Sequence, residues 1–470
     1  MESAGMKHLK TYSRREFVGV TAGLAATTVG AVACGVSKQA SMVERKGPPN
    51  VLYVFADQMR FSALGCMGNG LIRTPNLDVL AGQGILFSNA FSSSPVCSPY
   101  RSQLMTGKYS HKTGVVRNGL KLSEDETCIA EIFKEAGYST GYIGKWHLGG
   151  IPATGFLPPG KARQGWDYWA AMENLRDYFR PRYYLDTPEM IEREGFQPNI
   201  YTDLAIEYIK RNKERPFCLM LSWVPPHNLP DPVHPYVSPK QFDIYKPEDI
   251  PLRPNVPPQY EVAVRTYLAG YYGLITSLDY NIGRLMQTLD EAGIAENTIF
   301  CFTSDHGDMV GSQGQIQKQR PWEESIHVPF IMRYPREIEP RQNKDAILSS
   351  VDIMPTLLGL CNLQAPRDVQ GQDLSPIVLS KTDKGPESAY FAIQSHGAGP
   401  GWDWRGVRTK EWKYAVAPVG DWVLYNIAED PYELNNLADD SRYMSEKKQL
   451  KSLVKEWIDA TGDNFPIPGD

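Results

Sequence analysis

Four short apolar runs in this chain each end on a cluster of polar residues, and that pattern restricts the fold more than any other feature. Residues 50–56 stop at Asp57, and residues 138–143 stop at Gly144-Lys145-Trp146-His147. Residues 217–224 stop at Pro225-Pro226-His227, and residues 298–303 stop at Ser304-Asp305-His306-Gly307-Asp308. Near-continuous runs of this length suit strands buried on both faces, as in a parallel sheet. Helical patterns lie between them, at 76–82, 126–136, 201–212 and about 260–292. Strands alternating with helices predict an α/β sandwich. Polar residues at the carboxyl ends of such strands fall where open α/β sheets place their ligands. Four strands that deliver Asp, Lys, His and Asp-His to one edge describe a site.

The chemistry of those strand ends is that of an anion handled beside a cation. Asp57, Gln58 and Asp305 offer anionic and amide oxygens to a hard divalent ion, and His306 adds a nitrogen. Arg101, Lys145 and Lys318 offer fixed positive charge to a charged transition state. His147 and His227 titrate near neutrality and suit proton transfer. Between the first two runs stands Cys97-Ser98-Pro99-Tyr100-Arg101, a C-x-P-x-R pentapeptide, followed by Thr106-Gly107. Pro99 fits the first turn of a helix, whose N-terminal N–H groups would point at an anion.

Composition narrows the class. The net charge is -5, from 49 basic and 54 acidic residues, which argues against a nucleic-acid binder that relies on a basic surface. With 470 residues, the chain is long enough for a sizeable core. Seven cysteines (34, 66, 97, 128, 218, 301 and 361) show no C-x-x-C, and Cys218 and Cys301 sit in apolar runs as core residues. Ser13-Arg14-Arg15-Glu16-Phe17 precedes an uncharged stretch at 18–33 and reads as a twin-arginine export signal. Ala31-Val32-Ala33-Cys34-Gly35 resembles a lipobox, with Cys34 the residue that would carry a lipid anchor. The expected address is therefore periplasmic or cell-surface. Prolines concentrate at 152–159 and 225–258, where surface loops are expected.

Taken in order, these motifs resemble the type I, formylglycine-dependent sulfatases of the alkaline-phosphatase-like superfamily. The resemblance rests on Asn50 to Gln58, Thr74-Pro75-Asn76-Leu77-Asp78, the Cys97 pentapeptide and Gly144-Lys145-Trp146-His147-Leu148-Gly149. Pro225-Pro226-His227, Ser304-Asp305-His306-Gly307, Lys318 and Arg405-Gly406-Val407-Arg408-Thr409 complete it. It implies a large central, mostly parallel sheet flanked by helices, with a small C-terminal antiparallel sheet. The expected organisation is an export signal at 1–34, a linker at 35–47, a catalytic domain at 48–384 and a C-terminal subdomain at 385–470. The resemblance also implies that Cys97 becomes formylglycine, made by a formylglycine-generating enzyme, and that its hydrate attacks sulfate esters.

The same resemblance implies roles. Asp57, Gln58, Asp305 and His306, with an oxygen at position 97, would bind calcium, or manganese or magnesium in its place. Arg101 would hold the hydrate, and Lys145 and Lys318 the sulfate. His147 would act as base in sulfate release, and His227 with Lys318 would protonate the leaving alcohol. Asp57-Gln58 with Asp305-His306 replaces the commoner Asp-Asp with Asp-Asn. That pairing also resembles choline sulfatases and phosphonate monoester hydrolases, so a phosphonate or phosphodiester hydrolase is the enzymatic alternative. Lys145 and His147 favour the sulfatase. A glycan-binding pseudoenzyme is the non-enzymatic alternative, and the intact Cys97 and metal ligands oppose it. The expected substrate is a sulfated small molecule or oligosaccharide. Trp402-Asp403-Trp404-Arg405 reads either as core aromatics or as a sugar-stacking platform with an anion-binding arginine, and on the second reading Trp404 and Arg405 stand as substrate-binding candidates.

Overall fold

The first apolar run forms β1 (Asn50–Asp57), which lies inside an eight-stranded sheet. The computed structural model describes residues 47–394 and 403–469; the twin-arginine run, Cys34 and Trp402 lie outside them. The other early strands are β2 (Ile85–Phe91), β3 (Ser139–Lys145) and β4 (Tyr168–Met172). A separate two-stranded ribbon pairs β5 (Arg182–Tyr183) with β6 (Ile191–Glu192). The large sheet continues with β7 (Phe217–Pro226), β8 (Thr298–Ser304), β9 (Phe330–Arg333) and β10 (Gln342–Ser349). Its order is β10-β2-β9-β8-β1-β7-β3-β4, parallel except for β9, which runs against both neighbours.

Alternation along the strands splits the core into two layers, one on each face of the sheet. Leu52, Val54, Leu219, Leu221, Phe300 and Phe302 point to the face covered by the helix Glu261–Glu291, through Leu274, Ile275, Leu278 and Ile282. Val51, Tyr53, Cys218, Met220, Ile299 and Cys301 point to the other, where Leu104, Ile129, Phe133 and Leu357 pack. Cys218 and Cys301 are thus core residues, and every cysteine among the described residues is a free thiol.

Toward the C-terminus, β11 (Ala389–Ile393), β12 (Trp404–Arg408), β13 (Trp412–Ala417) and β14 (Gly420–Asn426) form an antiparallel sheet in sequence order. One face packs on the helix Met444–Thr461 through Leu450, Val454 and Ile458. The other face, with Phe391, Trp404, Ala415 and Val423, packs on Phe91, Val96, Ile326 and Ile347 of the larger unit. Among the described residues, no helix is long and apolar enough to cross a membrane.

Candidate active site

Strands β8, β1, β7 and β3 are consecutive neighbours in the sheet, so their carboxyl ends lie side by side. Asp57 closes β1, Lys145 closes β3, His227 follows β7, and Asp305-His306 follows β8. Gly144 makes this close spacing possible. A Cβ there would stand 1.9 Å from the Ser222 carbonyl oxygen of the adjoining strand. Cys97 opens the helix Cys97–Thr106, which leaves the loop after β2. Two of the candidate residues named from the sequence adopt left-handed backbone, Gln58 at φ 73 and His147 at φ 60. Each is held there by hydrogen bonds. The Gln58 N–H donates to Asp305 Oδ1 (3.0 Å) while its carbonyl accepts from Tyr271 (2.8 Å), and the His147 carbonyl accepts from Ser98 Oγ (2.7 Å).

At the centre, one donor atom each from Asp57, Cys97, Asp305 and His306 lies within 4.8 Å of every other. His306 Nε2 stands 3.3 Å from Cys97 Sγ, 3.6 Å from Asp57 Oδ1 and 3.5 Å from Asp305 Oδ1. Its Nδ1 donates to the Gly307 carbonyl at 3.0 Å. That bond turns Nε2 inward, the arrangement that orients imidazole ligands in metal sites. Lys145 Nζ contacts Asp57 Oδ2 at 2.6 Å. Arg101 spends Nη2 on Asp57 and Asp305 (3.3 and 3.4 Å) and Nη1 on the Lys145 carbonyl and Ser222 Oγ (2.5 and 2.8 Å). Its Nε is buried with no partner among the described residues, as is Nδ1 of His147, whose ring lies against Cys97.

Gln58 lies beside this cluster. Its Oε1 accepts from Lys318 Nζ at 2.5 Å, leaving that oxygen a second lone pair for a cation. Lys318 Nζ also donates to His227 Nε2 at 2.8 Å, while His227 Nδ1 donates to the Asn228 carbonyl at 2.9 Å. His227 is therefore fixed as the neutral tautomer with its Nε2 lone pair facing lysine.

The buried charges of the cluster shift one another. Burial pushes the Asp305 carboxyl up to about 7, and the Asp57 charge adds to the rise. Burial and Cys97 push Asp57 the same way, but the positive charge around it, Lys145 first, prevails and holds it below the usual carboxylate range. Burial alone would raise the Cys97 thiol; Lys145, Lys318 and His306 prevail and hold it well below its ordinary value. Burial, aided by Lys145, pushes His147 down to about 4, and burial with Lys318 lowers His227. Two buried carboxylates with an inward imidazole nitrogen suit a divalent cation in both charge and donor type.

Three sequence expectations change. The start of the Cys97–Thr106 helix has few free N–H groups for an anion. Ser98 N–H donates to Asn118 Oδ1 (3.0 Å), Pro99 has none, and Tyr100 N–H donates to the Val96 carbonyl (2.9 Å). Trp404 is not a sugar platform, because it is 1% exposed, packed between Phe391 and Trp422, and donates Nε1 to the Gln319 carbonyl. Arg405 lies on the opposite face of β12, where it is buried in an ion pair with Asp463 and stacked on Phe465. Both belong to the packing of the small sheet.

Other residues of the site escaped sequence reasoning. Ser222, one polar residue inside an apolar run, anchors Arg101. Glu173, just past β4, accepts the N–H groups of Gly149 and Gly150 and so ties down the loop carrying His147. Asp308 and Asn228 bind the Gln58 amide. Only Asp308 and Asn228 had a signal, each lying within two residues of a candidate.

Residues 49–363 match the sulfatase family, and residues 311–460 match the family described as N-sulphoglucosamine sulphohydrolase, C-terminal. An ulvan-active sulfatase of Formosa agariphila is 37% identical over 425 residues, covering 89% of this chain and 82% of that protein. The fold superposes on a putative sulfatase of Bacteroides fragilis with a TM-score of 0.80 at 31% identity, covering 88% of this chain and 96% of that one. It also superposes on a protein solved with its substrate D-glucosamine-2-N,6-O-disulfate, with a TM-score of 0.77 at 26% identity, covering 90% and 100%. Matched along most of its length both to the family pattern and to a sulfatase more than one-third identical, the chain belongs to the sulfatase family and is a sulfuric ester hydrolase.

Proposed function

We propose that this enzyme hydrolyses sulfate esters carried on carbohydrates, with formylglycine made from Cys97 and a divalent cation, calcium before manganese or magnesium. The observation that carries the reading is the buried cluster of Cys97, Asp57, Asp305 and His306 with Lys145, Lys318, His147 and His227 around it. Formylglycine and the cation would supply a hydrated-aldehyde nucleophile and a Lewis acid beside it. Asp57, Asp305 and His306 would hold the cation, joined by the amide oxygen of Gln58. Lys145 and Lys318 would bind sulfate oxygens, where fixed charge stabilises the charge that develops. Arg101 keeps one donor, Nε, for a group at position 97. His147, held neutral by burial, would take a proton from that group. The leaving alcohol would receive its proton from the Lys318–His227 pair, in which lysine holds the proton at rest.

Carbohydrate is the favoured substrate class because one relative is an ulvan-active sulfatase and one structural neighbour binds a disulfated glucosamine as substrate. The twin-arginine run and Cys34 support export and anchoring at the cell surface, after a formylglycine-generating enzyme has acted. The test is sulfate release from a panel of sulfated mono- and oligosaccharides, using calcium-loaded protein whose residue 97 is shown converted by mass spectrometry. Absence of release from every sugar would refute the carbohydrate reading.

A further inference from the structure

The Gln58 amide has a defined sense, and one carboxylate sets it. Asp308 is fully buried, and all four acceptor positions of its carboxylate are filled. Oδ1 accepts the N–H groups of Val310 (3.1 Å) and Gln317 (2.9 Å), and Oδ2 accepts from Gln58 Nε2 (2.7 Å) and the Tyr236 hydroxyl. The second hydrogen of Gln58 Nε2 goes to Asn228 Oδ1 (3.1 Å), and Asn228 is itself oriented by donating Nδ2 to the Leu229 carbonyl (3.1 Å). With both amide hydrogens committed, Oε1 must face Lys318 Nζ. Lys318 then donates to His227, and His227 donates to the Asn228 carbonyl, which closes a ring of Gln58, Lys318, His227 and Asn228.

We infer that Asp308 is a positioning residue that keeps the Gln58 amide oxygen, rather than its nitrogen, toward Lys318, and thereby fixes Lys318 against His227. The same carboxylate grips the N–H of Gln317, the residue preceding Lys318, so it sets both partners of one bond. In Asp308→Asn a single oxygen faces the four donors that two oxygens had shared. The backbone N–H groups of Val310 and Gln317 cannot reverse, so the oxygen goes to them and the new amide faces Gln58. Gln58 then turns over and presents N–H to an ammonium group, which has donors only. Lys318 is expelled from the ring. Gln58→Glu alone fails for the opposite reason once both acids are ionised, since two carboxylates then meet with no proton between them, whereas at lower pH a shared proton would restore the donor. The double variant restores one donor facing one acceptor and leaves a glutamate oxygen for Lys318. Asn228, half-buried, would have to turn and give up its bond to Leu229, so recovery is partial.

The rate arm rests on the sulfatase reading; the labelling arm does not. Full-length, calcium-loaded protein is pulsed with acetic anhydride, and acetylation of Lys318 is measured by mass spectrometry beside kcat/KM on 4-nitrophenyl sulfate. Asp308→Asn should lose roughly 10–100-fold in kcat/KM, the range for a residue that orients a site from outside it, and both single variants should acetylate Lys318 several-fold faster. The double variant should regain at least about tenfold in rate over Asp308→Asn, with Lys318 again protected. A purely structural Asp308 predicts that the second substitution makes matters worse, and that result overturns the inference. If Asp308→Asn does not fold, Gln58→Glu decides alone through its labelling, because Lys318 protection that stays at the wild-type level as the pH is raised is equally fatal. Wild-type protein that releases no sulfate but shows the expected labelling pattern would sink the functional reading and leave the inference standing.

Discussion

Cation binding by this site should depend steeply on pH, and the structure gives the sign and the size. Asp305 is raised to about 7 by burial and by Asp57, so below that pH it carries a proton in the metal-free protein. A cation can use the carboxylate only after that proton leaves. Affinity should therefore rise with pH and level off above about 7. For one displaced proton the apparent affinity changes about tenfold per pH unit well below that value, so calcium should bind ~50-fold more weakly at pH 5 than at pH 7. His306 is pushed down by burial and raised on balance by the Asp305 anion, so the two groups compete for one proton. The same shift has a consequence for stability. A carboxyl raised above its unfolded value stabilises the fold at low pH and loses that contribution as pH rises through the folded value. Metal-free protein should thus lose stability between about pH 4 and 7, and calcium should restore it most at the upper end. Calorimetric titration with calcium at several pH values, beside melting curves with and without the ion, measures both. A calcium-induced rise in Tm that is equal at pH 5 and pH 8 would contradict the assignment of Asp305 as a ligand. Asp305→Asn should bind calcium weakly and flatten the pH dependence.

Cys97→Ala should abolish turnover while the protein stays folded and binds calcium, and active wild-type protein should carry formylglycine in its residue-97 peptide by mass spectrometry. His227→Ala should slow alkyl sulfates by ~10²–10⁴-fold and aryl sulfates with acidic phenols far less, because only the former need a proton donor; equal losses on both would point to Lys318 alone. Arg405→Ala should cost about 3–5 kcal/mol of stability, read as a lowered denaturation midpoint, because it leaves Asp463 buried without its partner. Its kcat/KM at a temperature where the variant is folded should stay near wild type, and a selective rise in KM would instead restore Arg405 to the substrate site. Sulfate esters should be turned over with higher kcat/KM than matched phosphonate monoesters, and the reverse preference would move the enzyme to the phosphonate-cleaving type.

The strand ends were legible because two signals coincide there. An apolar run buried on both faces tolerates no charge, so the residue where it stops is both a strand end and a candidate ligand. Asp57 follows Ala56 in this way, and Asp305 follows the run 298–303. The run also extends slightly beyond its apolar residues: β3 continues through Gly144 to Lys145, since glycine gives the strand room beside Ser222. Strands β2, β9 and β10 carry no such terminal pattern, and β10 begins with Gln342, Asn343 and Lys344, partly exposed at the sheet edge. Their place in the sheet depends on pairings that leave no local mark.

The two misassigned residues show the converse. Trp404 and Arg405 have the composition of a sugar-binding surface, but alternation along β12 sends them to opposite faces, and both faces are covered. A platform needs its aromatic ring and its cation on one exposed side, and adjacent residues of a strand cannot supply that. Asp308 is the harder case. Its importance rests on hydrogen bonds to Gln58, 250 positions earlier, and to Tyr236, 72 positions earlier. Residue type alone made it one more acid in a turn after Asp305-His306-Gly307. Hydrogen-bond direction decides its role, and direction emerges only when every donor and acceptor of a closed ring has been assigned. Lys318 has donors only, so the oxygen of Gln58 must face it, the nitrogen must face away, and a carboxylate must wait there to receive it.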